Sequence, residues 1–155
     1  MSASQGVAGR LAGAGLELPS GPVALGDYVP AVRTGSLVFT SGQLPMQAGA
    51  LIATGSVGAG VDPDTARACA SRCALNALAA ASTVCDLDDV TRVVKVTGYV
   101  ASAPGFTGQP GVVDGASAVM GAAFGETGRH ARAAVGVASL PLGAPVEVEI
   151  VLELA

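Results

Sequence analysis

The segment VEVEIVLEL near the C-terminal end alternates strictly at first. Val146, Val148, Ile150 and Leu152 share one side, and Glu147, Glu149 and Glu153 share the other. That period of two predicts a β-strand with one face turned to a core and the other carrying carboxylates. Any fold for this chain must supply a sheet around that strand. Other stretches read the same way: "YVPAV" from Tyr28, a turn at Thr34-Gly35-Ser36, then "LVFTSGQLP", with a hairpin partner near "ALIATG". "VTRVVKVTGYVAS" is rich in β-branched residues, with Val94, Val96 and Val100 on one side and Lys95, Thr97 and Tyr99 on the other. "HARAAVGVASLP" gives a further strand, with Arg132, Ala134 and Gly136 on one face and Ala133, Val135 and Val137 on the other. The valine side is the expected core side.

Two segments break this period. Asp62 is a good N-cap, Pro63 suits the first helical position, and Asp64 places a carboxylate where the helix dipole favours it. The run "TARACASRCALNALAAASTV" that follows predicts about five helical turns, and its alanines predict close packing on a sheet. "DLDD" ends it. A second helix is expected over Val112 to Phe124, and a weak, glycine-interrupted one over Gly6 to Leu16, which "LPSGP" breaks. Residues 1–27 thus read as a preface to a single domain over 28–155. The order β-β-β-α-β-α-β-β predicts an α+β protein with two helices on one face of a mixed sheet. The other face then needs a cover, and association of several sheets about an axis supplies one.

Composition supports that association. Half of the 155 residues are apolar and only 13% are charged, a thin polar coat for a lone small domain. The net charge is −4, Lys95 is the only lysine, and no basic stripe or aromatic platform is present, which argues against nucleic-acid binding. No secretory signal and no membrane span are recognisable, so a cytoplasmic location is expected. Three cysteines fit a reducing compartment. Cys69 and Cys73 are four residues apart on a helix, but with one histidine in the chain they read as packing groups and not metal ligands. His130 reads as an edge residue and Lys95 as a solvated one. No phosphate loop, nucleophile elbow, zinc-protease or dinucleotide motif occurs, so no cofactor is expected.

The pair that stands out is Arg132 with Glu147. A hairpin through "PLGAP" would set their strands side by side and bring guanidinium and carboxylate onto neighbouring positions of one sheet. A structural ion pair is one reading. The other is a ligand site, because the small residues Ala134 and Gly136 leave room beside Arg132 for a planar carboxylate held bidentately.

"YVPAV", "LVFTSGQLP", "VVKVTGYV", "ARAAVGVASLP" and "VEVEI" occur in the order and approximate spacing of the Rid/YjgF family, which the chain resembles from about Tyr28 onward. The resemblance implies a chorismate-mutase-like fold and a homotrimer with a central barrel and three clefts between subunits. It also implies metal-free and cofactor-free hydrolysis of reactive imines and enamines, such as 2-aminoacrylate, to 2-oxo acids and ammonia. By motif position Arg132 matches the arginine that clamps the substrate carboxylate, and Glu147 the acid that orients or activates water. Tyr28 and Ser41 match cleft-lining residues. Two positions depart from the pattern. Ala134 replaces a cysteine in the cleft wall, and Asp114 stands where an asparagine is usual, so that its charge would repel an acidic substrate. These departures leave a second expectation open, a trimer that binds small carboxylates without turning them over. The endoribonuclease label attached to the family sits poorly with the acidic balance of this chain.

Overall fold

A computed structural model describes residues 5–21 and 26–155. The elements are α1 (Val7–Gly13), β1 (Ala31–Thr34), β2 (Leu37–Thr40), β3 (Met46–Gln47), β4 (Ala50–Leu51), α2 (Pro63–Ala81), β5 (Val90–Ala101), α3 (Gln109–Phe124), β6 (Ala131–Val137) and β7 (Val146–Leu154). The alternating segment is β7, the middle strand of a five-stranded sheet ordered β1-β2-β7-β5-β6. Val146, Val148, Ile150, Leu152 and Leu154 are buried, while the glutamates and Val151 on the other face are half-buried, as the period of two requires. All pairings are antiparallel except β5 with β6, which is parallel because α3 carries the chain back between them. This is the expected α+β architecture, a mixed sheet with its helices on one face.

Helix α2 begins as its cap chemistry dictates. The Asp62 carboxylate accepts from the Thr65 backbone N–H at 2.8 Å and from its hydroxyl at 2.9 Å. These bonds hold the Asp62 pKa below its ordinary value. From Cys69 onward α2 is almost wholly buried, between the sheet and α3. Gly115 of α3 lies against the Arg67 carbonyl of α2, where a Cβ would collide with the backbone, so the two helices approach at the distance glycine permits. Burial pushes the Cys69 thiol up to about 11 and the Cys73 thiol well above its ordinary value, so both are neutral packing groups. The short α1 joins the same core through Val7 and Leu11, and Arg10 Nε donates to the Ala123 carbonyl at 2.6 Å. Among the described residues no helix is long and apolar enough to cross a membrane.

Four expectations change. First, β6 pairs with β5 and not with β7, so β5 separates the strands of Arg132 and Glu147. The β5–α3–β6 crossover takes the position that a β6–β7 hairpin would have needed. Second, the third strand does not join the main sheet. Its residues Ala50–Leu51 fold back on Met46–Gln47 as a separate two-stranded ribbon, turning through Ala48 (φ 52°) and Gly49 (φ 82°). Third, a register shift between Val93 and Lys95 breaks the alternation of β5, so that Val93 is buried and Val94 half-buried. Fourth, the valine side of β6 is not the core side: Val135 is 42% exposed, and the side bearing Arg132, Ala134 and Gly136 faces α3.

Candidate functional site

Arg132 lies on the edge strand β6, opposite the buried Val96 of β5, and so points to the helix side of the sheet. Its Nη1 donates to Asp114 Oδ1 at 2.7 Å and to Ser117 Oγ at 3.2 Å. These partners are three residues apart on α3 and so share one face of it. Among the described residues Nε and Nη2 have no partner, and the side chain is 24% exposed. Helix α3 also explains the missing bulk on this strand. Ala134 packs against the core, and a Cβ on Gly136 would crowd Gln109 and Ser102. The small residues make room for the helix, and the open part of the arginine is its outer edge.

Glu147 lies on the opposite face, paired with Tyr99 of β5. Its carboxylate rests on the α-carbon of Gly42, where any side chain would collide with it. Partial burial, and next the Glu149 charge, raise the Glu147 pKa above its ordinary value. Glu149 accepts a 2.8 Å bond from the Tyr99 hydroxyl, and that bond raises the tyrosine pKa. The loop around Gly42 is fixed on both sides. Ser41 donates from Oγ to the Val29 carbonyl at 2.7 Å, and Gln43 exchanges backbone bonds of 2.8 and 3.0 Å with Val148. Tyr28, more than half exposed, stands beside this loop at the edge of a cavity of about 440 Å³.

The predicted residues therefore form two groups. Arg132, Asp114 and Ala134 lie at the β6–α3 edge, while Glu147, Ser41 and Tyr28 lie around Gly42. Two strand spacings and three residues of offset separate the backbones of Arg132 and Glu147 by roughly 14 Å. Their side chains leave opposite faces, so one chain does not bring them together as a hairpin would have done. Sequence reasoning passed over Ser117, which follows Asp114 by three residues, and over Arg72 and Asn76, which line the cavity beside Tyr28. The signal available for Arg72 was a lone charge within an alanine- and cysteine-rich stretch of α2.

The helices, the mixed sheet and its strand order are those of the chorismate-mutase-like fold. The family described as "YjgF/chorismate_mutase-like, putative endoribonuclease" matches residues 8–154, and the chain belongs to it. Protein TCP17 of Trypanosoma cruzi is 43% identical over 154 residues, covering 98% of this chain and 96% of that protein. The crystal structure of Atu1372 from Agrobacterium tumefaciens, a protein of unknown function, is similar at TM-score 0.88 and 44% identity, covering 96% of this chain and 92% of that one. The crystal structure of E. coli TdcF with bound serine is similar at TM-score 0.62 and 25% identity, covering 87% and 94%. The match reaches N-terminal to Tyr28, where the motifs alone placed its start.

Proposed function

We propose that this protein hydrolyses reactive imines and enamines of small carboxylic acids to 2-oxo acids and ammonia, in clefts between the subunits of a homotrimer. The observation that carries the reading is the incompleteness of each half-site. Among the described residues two guanidinium nitrogens of Arg132 have no partner, Glu147 is a half-buried carboxylate of raised pKa, and they lie on opposite faces of one sheet. Two copies supply both groups to one ligand. The free edge of Arg132 holds the substrate carboxylate through paired charge-assisted bonds. Glu147 holds a water and takes its proton as the oxygen attacks the iminium carbon. The carbinolamine then collapses: the hydroxyl proton leaves, the C–N bond breaks, and ammonia departs with the proton returned by Glu147. An enamine reaches the same path after protonation at carbon. Tyr28 and Ser41 form part of the cleft, and Ala134 leaves its wall bare. The bound serine of the TdcF crystal, a small amino acid with a carboxylate, supports a ligand of this kind. The reaction would run in the cytoplasm, where free thiols persist. The acidic balance of the chain speaks against RNA as substrate.

The test is to generate 2-aminoacrylate in situ and follow keto acid formation. Acceleration over buffer that disappears in Arg132→Ala is expected. No acceleration, or full activity in that variant, would remove the proposal. The Asp114 carboxylate on Arg132 favours a second reading, a trimer that binds small carboxylates without reaction. Saturable binding of pyruvate or serine without turnover of any imino acid would decide for it.

A further inference from the structure

The cavity beside Tyr28 contains a cation that the proposed reaction does not use. Arg72, on α2, is half-buried, and its Nε donates to the Met46 carbonyl at 2.8 Å. One turn later Asn76 donates from Nδ2 to the same carbonyl at 3.1 Å and to the Leu44 carbonyl at 2.9 Å. Met46 is therefore satisfied without the arginine, and tethering this loop does not account for a guanidinium. Among the described residues no carboxylate lies within ion-pair distance of Arg72, although the chain is acidic overall. A half-buried cation without a counter-charge is costly to keep. Its side chain lines a cavity of about 440 Å³, the size of a small-ligand site, and among the described residues its two Nη groups have no hydrogen-bond partner.

A second observation lies at the rim. Leu142 is 66% exposed and has φ 60°, followed by Gly143 at φ 75°, with the Ala144 N–H bonded back to the Pro141 carbonyl at 3.1 Å. This is a turn of the primed kind, whose first central position suits Asn, Asp or Gly. A leucine there is both strained and exposed, a combination found where the side chain has a use. It stands over the cavity with Tyr28, and the two give it apolar lips.

We propose that this cavity binds a small monocarboxylate with an apolar body, the carboxylate on the Arg72 fork and the body between Tyr28 and Leu142. A single guanidinium with two free nitrogens matches one planar carboxylate, whereas a dianionic phosphate would call for more positive charge. The site shares Tyr28 with the proposed deaminase cleft, goes beyond that reading in its use of Arg72 and Leu142, and lies within one chain. Hexanoate and hexanamide are the probes, titrated calorimetrically into the intact protein. Hexanoate should bind about tenfold or more tighter than its uncharged isostere. Arg72→Met should abolish that preference, Arg72→Lys should weaken hexanoate alone, and Arg132→Ala should leave both ligands unaffected. Leu142→Asn should weaken both while raising the melting temperature. Equal binding of the two probes, no binding, or an unchanged hexanoate affinity in Arg72→Lys would overturn the site. Hexanoate binding lost in Arg132→Ala but kept in Arg72→Met would also overturn it, and would leave the deaminase reading standing.

Discussion

Arg132 and Asp114 are 2.7 Å apart, and this contact sets how strongly the edge of β6 can attract an anion. The Asp114 side chain is half exposed, so the pair contributes about 0–1 kcal/mol to stability. Its electrostatic effect on a ligand is larger, because the guanidinium presents a partly neutralised charge. Asp114→Asn should therefore leave denaturant unfolding nearly unchanged while lowering the KM for a carboxylate-bearing imine several-fold, by roughly the same factor that is lost when salt is raised. An unaltered KM would mean that Asp114 does not face the substrate. At Glu147 the balance is different. Burial raises its folded pKa above the unfolded value, so the fold favours the protonated form. That contribution is fully present below the unfolded pKa and is lost as pH rises through the folded one. Glu147→Gln should thus be more stable than the parent at neutral pH, with the gap closing on acidification into the carboxylate range. Activity should fall by about 10²–10⁴. The acid limb of the rate profile, which in the parent is displaced upward from that of an ordinary glutamate, should vanish with it. A merely structural glutamate would move the stability and leave that limb in place.

Helix α2 was legible from its residues because its signals are local. The Asp62 cap, Pro63 and the following alanines need no partner elsewhere in the chain to make their case, and the cap bonds form as expected. The Asp62 pKa is depressed by its bonds to Thr65, so its contribution is present above the unfolded pKa and lost as pH falls through the folded one. Asp62→Ala should destabilise at neutral pH, and the difference should fade in strong acid; thermal melts at the two pH values check it. The strand pairings were not legible in the same way. Which strand lies beside β6 depends on where α3 packs, and that is decided by contacts such as Gly115 against Arg67, far apart in sequence. Gly115→Ala tests this packing because two effects oppose. Alanine improves intrinsic helix propensity by about 1 kcal/mol, while its Cβ meets the Arg67 carbonyl and forces a shift costing about 1–3 kcal/mol. Net destabilisation on urea unfolding is expected. The same non-locality hid part of the candidate site. Arg132, Glu147, Tyr28 and Ser41 could be picked out by motif, but no pattern shows that Arg72 turns toward a cavity, or that α3 fills the space beside Ala134.

Among the described residues nothing covers the sheet face opposite the helices. Val32, Phe39 and Val135 on it are 51%, 42% and 42% exposed, beside the half-buried Tyr99, Glu149 and Val151. Apolar groups on a sheet face of this kind mark an association surface, and the homotrimer of the proposed function uses it. Phe39→Glu should then reduce the trimer to monomers in light scattering, with deaminase activity lost. Hexanoate binding at Arg72 should survive, since that cavity belongs to one chain. A sharper consequence concerns which copies supply a site. Arg132 and Glu147 of one chain leave opposite faces of the sheet, from backbones roughly 14 Å apart, too far to hold one small imino acid between them. Under the proposed function each cleft then takes the arginine from one copy and the glutamate from its neighbour. Arg132→Ala and Glu147→Gln are each inactive alone under this arrangement. When the two are mixed, unfolded and refolded together, random assortment about a closed ring restores both groups in about one quarter of the clefts. Recovery of about that fraction of the parent activity is the expected result. Mixing without refolding should restore nothing until subunits exchange. Absence of recovery, with mixed trimers verified by mass, would place both residues on the same subunit's cleft and break the link between sheet topology and catalysis.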